Sequence, residues 1–474
     1  MADKKKEIVV IGGGPGGYAA AFRAADLGME VTLVDPGENP GGVCLYRGCI
    51  PTKALLHAVN LKKEALEADE IGIRFKNPEV DTGKINKWKD GVVAQLTSGL
   101  GQLASRRKIN HVRGTAKFIS SNQVEIVKNN KENSGKEEFE FKKAIIATGS
   151  EPMMLPGVEK VKNKVIYSGE ALNVKEIPEN LLVVGGGYIG LEMGTIYAGL
   201  GSKVTVIELT DGLLPGMDRD LVKVFEKSTK GLFKDVMLQT GLKEIKKKKN
   251  NLIALVDQKG EKKEIETDKI LISVGRKPLS GNLGLENTGI ETDDKGFIKV
   301  NEKRQTKEAH IYAIGDVAGG MLLAHKASHE GIMAAESIAG SKIVFDPYAI
   351  PAVVFTEPEI AWTGMDKKEA EEKGIEAKQT KFQWAASGRA VTLNRTDGLT
   401  KLLFDKNSKR IIGGGVVGKN AGEMIGEITH AIEMGATAED LALTIHPHPT
   451  LSETIMEAAE MLEGKAIHIY RPRR

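Results

Sequence analysis

Residues 7–35, EIVVIGGGPGGYAAAFRAADLGMEVTLVD, decide the fold. Four apolar residues, Ile8 to Ile11, run into Gly12-x-Gly14-x-x-Gly17. An alanine-rich helix follows and ends at Leu27-Gly28, and a second apolar strand ends in Asp35. Glycines in such a turn let the backbone approach a pyrophosphate and let the helix pack closely on the strand. The helix N-terminus then faces the phosphates, and the acid at the strand end takes ribose hydroxyls. A glycine triplet alone carries little weight, but here strand, helix and acid all stand where such a unit needs them.

The pattern returns at an offset of 173 residues in LLVVGGGYIGLEMGTIYAGLGSKVTVIE, residues 181–208. Gly12, Gly14 and Gly17 correspond to Gly185, Gly187 and Gly190, and Asp35 corresponds to Glu208. A second echo joins KAIIATGSEP (143–152) to KILISVGRKP (269–278), each a buried strand entering a glycine turn. The chain is expected to bind two dinucleotides. A carboxylate such as Glu208 accepts bonds from a 2′-hydroxyl and repels a 2′-phosphate, and the following LTDGLL contains no arginine, so NAD is expected rather than NADP.

Between the two units lies GGVCLYRGCIPTKALL, residues 41–56, with the only two cysteines, Cys44 and Cys49. Residues five apart in a regular helix are roughly 8 Å apart, and a disulfide needs Cα atoms about 4.4–6.8 Å apart. Bridging therefore requires an irregular segment, with Cys44 ahead of a helix start. A thiol at a helix N-terminus has its thiolate favoured, which suits a redox pair. Two other readings stand beside it: a zinc site completed by His446 and His448, and a structural staple, which closes too small a loop to add much stability.

The 474 residues suggest three or so domains. Hydrophobic content of 41%, charged content of 28% and net charge of +3 suit a globular protein and give no reason to expect nucleic acid. The lysine clusters 4–6 and 246–249 read as solvated turns or termini. No apolar run reaches the length of a membrane span, and a strand pattern from about Glu7 leaves no space for a targeting segment. A cytoplasmic chain is expected, where two cysteines suit catalysis.

Residues 53–107 read as helical and those up to 150 as strand-rich, with the polar tip KNNKENSGKEE as a mobile hairpin. In EAHIYAIGDVAGGMLLAHKASHEG (308–331), Asp316 follows a strand and a glycine, where it could cap a helix or bind a sugar-alcohol hydroxyl. From about Asp346 strands and helices alternate without a nucleotide loop. Near the end, in TIHPHPTLSETIMEA, Pro447 and Pro449 keep His446 and His448 out of regular helix, with Thr450 or Ser452 to cap the next helix and Glu453 on its first turn. A histidine oriented by that acid suits a general base; a capping or buried histidine is the plainer reading.

Taken together, GGVCLYRGCIPTKALL, the doubled glycine loops, ATGS, AIGDV and HPHPTLSE resemble the pyridine nucleotide–disulfide oxidoreductases over essentially the whole chain. The resemblance implies an α/β fold of two Rossmann-like dinucleotide-binding domains, for FAD and NAD, plus a C-terminal α+β dimerisation domain. The implied division is 1–150 for FAD and the redox disulfide, 151–276 for NAD, 277–345 completing the FAD site, and 346–474 as the dimer interface. FAD contacts carry over to Gly12, Gly14, Gly17, Asp35, Gly42, Lys53, Ala116, Thr148, Gly149, Asp316 and Ala324. NAD contacts carry over to Gly185, Gly187, Tyr188, Ile189, Gly190, Glu208, Leu242 and Gly275.

The implied chemistry is oxidation of protein-bound dihydrolipoamide through a Cys44–Cys49 disulfide and FAD, with a hydride passing to NAD+. Lys53 and Glu192 match the family's ion pair near the flavin, and His448, oriented by Glu453, matches a base reaching in from the other subunit. A homodimer is implied, serving a lipoyl-bearing acyltransferase of 2-oxo acid dehydrogenase complexes, the glycine cleavage H protein, or both, with no metal, nucleic acid or membrane. Val43, Tyr46-Arg47 and Thr52 depart from the usual threonine, asparagine-valine and serine. A glutathione-reductase-like enzyme is the alternative within the family, although Glu208 and a cysteine-free tail speak against relatives that need arginines or extra thiols. A redox-inert dinucleotide-binding assembly subunit is the alternative outside it.

Overall fold

Burial on both faces explains the first sheet. Ile8, Val9 and Val10 are fully buried, as a central parallel strand must be when both sides are covered. In the computed structural model, which describes residues 6–128, 135–158, 161 and 163–470, Lys6–Ile11 lies between Val31–Asp35 and Lys136–Ile146, parallel to both. The start of Asn110–Ser120 pairs parallel with Val31–Asp35, and its far half turns into an antiparallel meander with Gln123–Lys128 and Lys136–Ile146. Residues 129–134, within the KNNKENSGKEE stretch expected as a mobile hairpin, lie outside the described residues. Ile311–Ala313 then adds a sixth strand beside Lys136–Ile146. The chain thus returns to its first sheet after building the second.

Two helices cover one side of that sheet. Pro15–Asp26 buries Ala20, Ala21 and Ala24, and Ala324–Ile338 packs on it through Gly331, where an added Cβ would lie 2.3 Å from the Gly16 carbonyl oxygen.

The second sheet has five parallel strands, in the order Asp235–Met237, Lys203–Ile207, Asn180–Val184, Lys269–Ile272 and Val165–Tyr167. A three-stranded antiparallel sheet, 240–267, flanks it. Lys246–Lys249 are exposed there, around a tight turn. The helical stretch expected over 53–107 is two helices, Cys49–Glu67 and Thr82–Arg106, separated by a short 3-10 turn and an exposed segment without regular structure.

The C-terminal part is an antiparallel five-stranded sheet, in the order Ala352–Val354, Glu359–Gly364, Ile411–Gly418, Leu399–Asp405, Ala377–Gln383. Trp384, Phe382 and Phe404 fill its core against the helices Ala421–Glu433 and Glu453–Glu463. Buried Lys401 ties this sheet to Asp218 and Asp220 at the head of Arg219–Ser228, at 2.5 and 2.8 Å. Arg395 and Lys419 reach Glu67 and Glu64 on the helix that begins at Cys49, at 2.9 and 2.6 Å. The architecture is therefore the α/β one expected: two parallel-sheet units and an α+β unit. Among the described residues no helix is long and apolar enough to cross a membrane.

Candidate active site

The two glycine loops repeat down to the atom. Gly12 and Gly185 have φ of +105° and +108°, a region glycine enters without strain. A Cβ on Gly17 would sit 1.8 Å from the Gly12 oxygen, and one on Gly190 would sit 2.0 Å from the Gly185 oxygen. The third glycine of each loop is thus where the helix meets the turn with no room for a side chain. The acids repeat as well. Asp35 Oδ2 accepts from Gly13 N–H at 2.6 Å and Glu208 Oε2 from Gly186 N–H at 2.7 Å. Their second oxygens accept from Gly37 and Thr210 N–H, both at 2.8 Å. Arg219, the first arginine after Glu208, spends its guanidinium on the carbonyls of Leu213, Leu214 and Met217.

A cavity of about 1140 Å³ begins at the first loop. It runs from Gly12, Gly14 and Asp35 past Ala116, Thr148 and Gly149 to Asp316 and Ala324, and reaches Gly42, Cys44, Cys49, Lys53, Tyr188, Ile189 and Glu192. One elongated space therefore connects the first nucleotide loop, the thiols and the start of the second loop's helix. Gly17 lies behind its wall. Gly185, Gly187, Gly190, Glu208 and Gly275 are outside this lining, and a Cβ on Gly187 would meet nothing within 4 Å. Leu242 packs against the core beneath the three-stranded sheet.

Asp316 does not cap a helix: the turn that starts at Gly315 has no side-chain cap. Its Oδ2 accepts a short bond from Ser150 Oγ, and Arg276, which donates to Ser150 Oγ at 2.7 Å, stands 3.9 Å away. Ser150 and Arg276 went unread in the sequence, although Arg276 sits in the KILISVGRKP echo.

The cysteines straddle a helix break. Cys44 lies inside the short helix Gly42–Arg47, and Cys49 opens Cys49–Glu67. As expected, the segment is irregular and Cys44 lies ahead of the helix that starts at Cys49, although within a short helix of its own: the chain breaks between the thiols, at Gly48 (φ −147°, ψ −117°). A Cβ there would press to 2.9 Å from the Val43 oxygen. Both cysteines are free thiols, with no disulfide between them, and they share a hydrogen bond. The bond from Cys44, with help from the Lys53 charge, lowers Cys49 to about 7 against the opposing effect of burial. The same bond and burial push Cys44 up. Proton and negative charge are thereby assigned to different sulfurs.

Lys53 Nζ meets both Glu192 oxygens at 3.0 and 3.1 Å, and sits 4.3 Å over the Phe355 ring. Buried Glu192 also accepts from Phe355 N–H at 2.9 Å. Tyr188 stands on the cavity wall with 43% of its surface exposed, and the packing on its cavity side raises its hydroxyl pKa.

The two histidines separate clearly. His446 uses both nitrogens: Nδ1 faces the Thr444 carbonyl at 2.8 Å and Nε2 faces Glu427 at 2.7 Å, with its side chain 5% exposed. The Glu427 bond raises its pKa against the opposing effect of burial. His448 is 76% exposed and bonds Glu453 through Nδ1 at 2.9 Å, which leaves Nε2 directed outward. Neither Thr450 nor Ser452 caps the following helix. Instead the Glu453 carboxylate reaches back to Thr450 N–H at 2.7 Å, so the acid itself fixes the histidine loop. Among the described residues of one chain no group of three or more His, Cys, Asp or Glu stands together as a metal site.

The model of the pyridine nucleotide-disulphide oxidoreductases matches residues 6–331, and that family's dimerisation domain matches 350–459. The chain belongs to this family of oxidoreductases, whose cofactors are FAD and NAD, and its dimerisation domain makes it a homodimer. More particularly, it is 46% identical to the dihydrolipoyl dehydrogenase of Buchnera aphidicola over 97% of this chain and 96% of that one. It is 47% identical to that of Vibrio parahaemolyticus, with the same coverage. Among solved structures, LpdA of Mycobacterium tuberculosis superposes with a TM-score of 0.89 at 25% identity, covering 96% of this chain and 99% of that one. The HOCl-induced flavoprotein disulfide reductase RclA of Escherichia coli superposes with 0.85 at 27% identity, covering 96% and 100%.

Proposed function

We propose that the chain acts as a dihydrolipoyl dehydrogenase, oxidising protein-bound dihydrolipoamide to lipoamide with NAD+. The observation that carries this reading is the single cavity that leads from a dinucleotide loop to a coupled pair of thiols. In shape it suits FAD. The glycine loop offers backbone N–H groups to a pyrophosphate, Asp35 and Asp316 offer carboxylates to ribose and ribityl hydroxyls, and Lys53 offers positive charge beside Cys49. FAD bound there supplies two-electron transfer between the thiols and NAD+. The second loop, with Glu208 at its strand end, suits NAD.

The residues of the chain then divide the work. His448, its imidazole oriented through Nδ1 by Glu453, reaches from one protomer into the site of its partner and takes a proton from a dihydrolipoamide thiol. The thiolate attacks Cys44 of the oxidised pair, breaking the Cys44–Cys49 bond and forming a mixed disulfide, with Cys49 released as a thiolate. The second substrate thiol loses its proton and displaces Cys44, so lipoamide leaves with its ring closed and the pair is left reduced. Cys49 holds the negative charge because Cys44 donates to it and Lys53 attracts it. Tyr188 covers the inner end of the cavity until the nicotinamide arrives.

We further read 1–150, 151–276, 277–345 and 346–474 as the working domains. The lipoyl carrier is an acyltransferase of a 2-oxo acid dehydrogenase complex, the glycine cleavage H protein, or both, in the cytoplasm. Anaerobic titration with dihydrolipoamide and then NAD+ tests the reading. A long-wavelength absorption band that disappears as NADH forms is the expected result. No response to the dithiol, with reduction by NADPH and turnover of glutathione disulfide, would reassign the substrate. Yellow protein inert to every dithiol would make it a binding subunit.

A further inference from the structure

A charged cluster lies behind the cavity wall and takes no part in the steps above. Glu330, on Ala324–Ile338, is fully buried. Its Oε2 accepts from Gly315 N–H at 2.6 Å. Its Oε1 makes ion-pair contacts with Lys326 Nζ at 2.8 Å and Arg304 Nε at 3.4 Å. Lys326, also buried, donates to the Gly319 carbonyl at 3.0 Å. An acid and a base one helical turn apart thus hold the two ends of the turn 315–319. Between those ends stands Asp316, whose side chain faces the cavity. The same helix is fixed to the first glycine loop, where Ser328 Oγ donates to the Pro15 carbonyl at 3.3 Å.

Stability alone does not account for this cluster. Buried ion pairs replaced by apolar residues of similar size are often no less stable. An apolar side chain, however, would leave Gly315 N–H and the Gly319 carbonyl without their partners, and the turn would lose its two anchors.

We propose that Glu330 and Lys326 are positioning residues for FAD: they fix the 315–319 turn so that Asp316 is held toward the cofactor, without touching it themselves. This rests on the cavity being the FAD site. The test is FAD affinity, read from free-flavin fluorescence on dilution of the holoenzyme. Glu330→Ala is expected to weaken FAD binding by about tenfold or more. Glu330→Gln, still able to accept from Gly315 N–H, is expected to recover most of it. Lys401→Met, which removes a buried cation outside the cavity lining, is expected to lower the melting temperature and leave FAD affinity unchanged.

A Glu330→Ala protein that behaves like Lys401→Met, losing stability but not FAD, overturns the proposal. If Glu330→Ala does not fold, Lys326→Met is measured in its place: loosening of FAD supports the proposal and unchanged affinity overturns it. Asp316→Ala separates the two readings. FAD affinity unchanged in that variant defeats the cavity assignment itself, whereas loosening there without loosening in Glu330→Ala defeats only the positioning role.

Discussion

The two glycine-loop units share one backbone design and differ in what lies against it. Each places a glycine at positive φ before a helix whose third glycine touches the first, and each ties its loop N–H to an acid on the next strand. Over the first loop the chain lays the cysteine segment: a Cβ on Gly42 would come within 2.5 Å of Gly14 Cα. Over the second, Leu213 and Leu214 lie against Gly186, but a Cβ on the glycine corresponding to Gly14, Gly187, would meet nothing within 4 Å. A loop with its own chain laid against it suits a resident cofactor, and a freer one suits a substrate nucleotide that must leave each cycle.

Steric substitution breaks the comparison most directly. Gly17→Ala drives a methyl into the Gly12 carbonyl and is expected to give colourless protein, checked by flavin absorbance after purification. Gly190→Ala makes the same collision in the second unit. It is expected to keep FAD and accept electrons from dihydrolipoamide, yet reduce NAD+ at least about a hundredfold less efficiently, because a clash of that depth must displace the loop. Loss of FAD in the second variant would mean that the two loops are not independent.

The segment that distinguishes the first unit comes next. Cys44→Ser is expected to abolish dithiol turnover while FAD stays bound, measured by NADH formation and by flavin content. Loss of FAD would make the cysteine structural. His448→Gln is expected to lower turnover by about 10²–10⁴, the usual contribution of a positioned base. His446→Gln should cost far less in turnover and more in thermal stability, since it strips a buried partner from Glu427. Equal losses of turnover would show that the base has been misassigned.

Much of this was legible because it is local. The glycine spacing, the terminal acids and the paired cysteines each lie within one turn or one strand, and repetition at a fixed offset excluded chance. What was not legible depends on distant partners. His446 and His448 each precede a proline, and it is the burial of His446 against Glu427, on the helix Ala421–Glu433, that sets it apart from the exposed His448. Asp316 reads as a cap until Ser150, 166 residues earlier, takes its carboxylate. Glu330 looks like an ordinary helix acid, and its burial follows from the return of 311–338 to the first sheet. The strands 240–267 were hidden by their charge, because that sheet buries only alternate residues such as Leu252, Ala254 and Val256.

The smallest effect tests the acids, the feature the two units share most closely. Glu208→Gln keeps an oxygen able to accept from Gly186 N–H, so the loop should hold its shape, but it removes the charge that repels a 2′-phosphate. The preference for NADH over NADPH, taken as a ratio of kcat/KM, is expected to fall by about tenfold, mainly through better use of NADPH. Asp35→Asn is the matched change in the first unit. There the cofactor carries no 2′-phosphate, so no change in NADH preference is expected, and FAD should loosen only modestly. If Glu208→Gln left the preference intact, discrimination would have to come from elsewhere in the second unit. Arg219 would not be its source: a guanidinium attracts a 2′-phosphate rather than repelling it, and this one is already bound to backbone carbonyls.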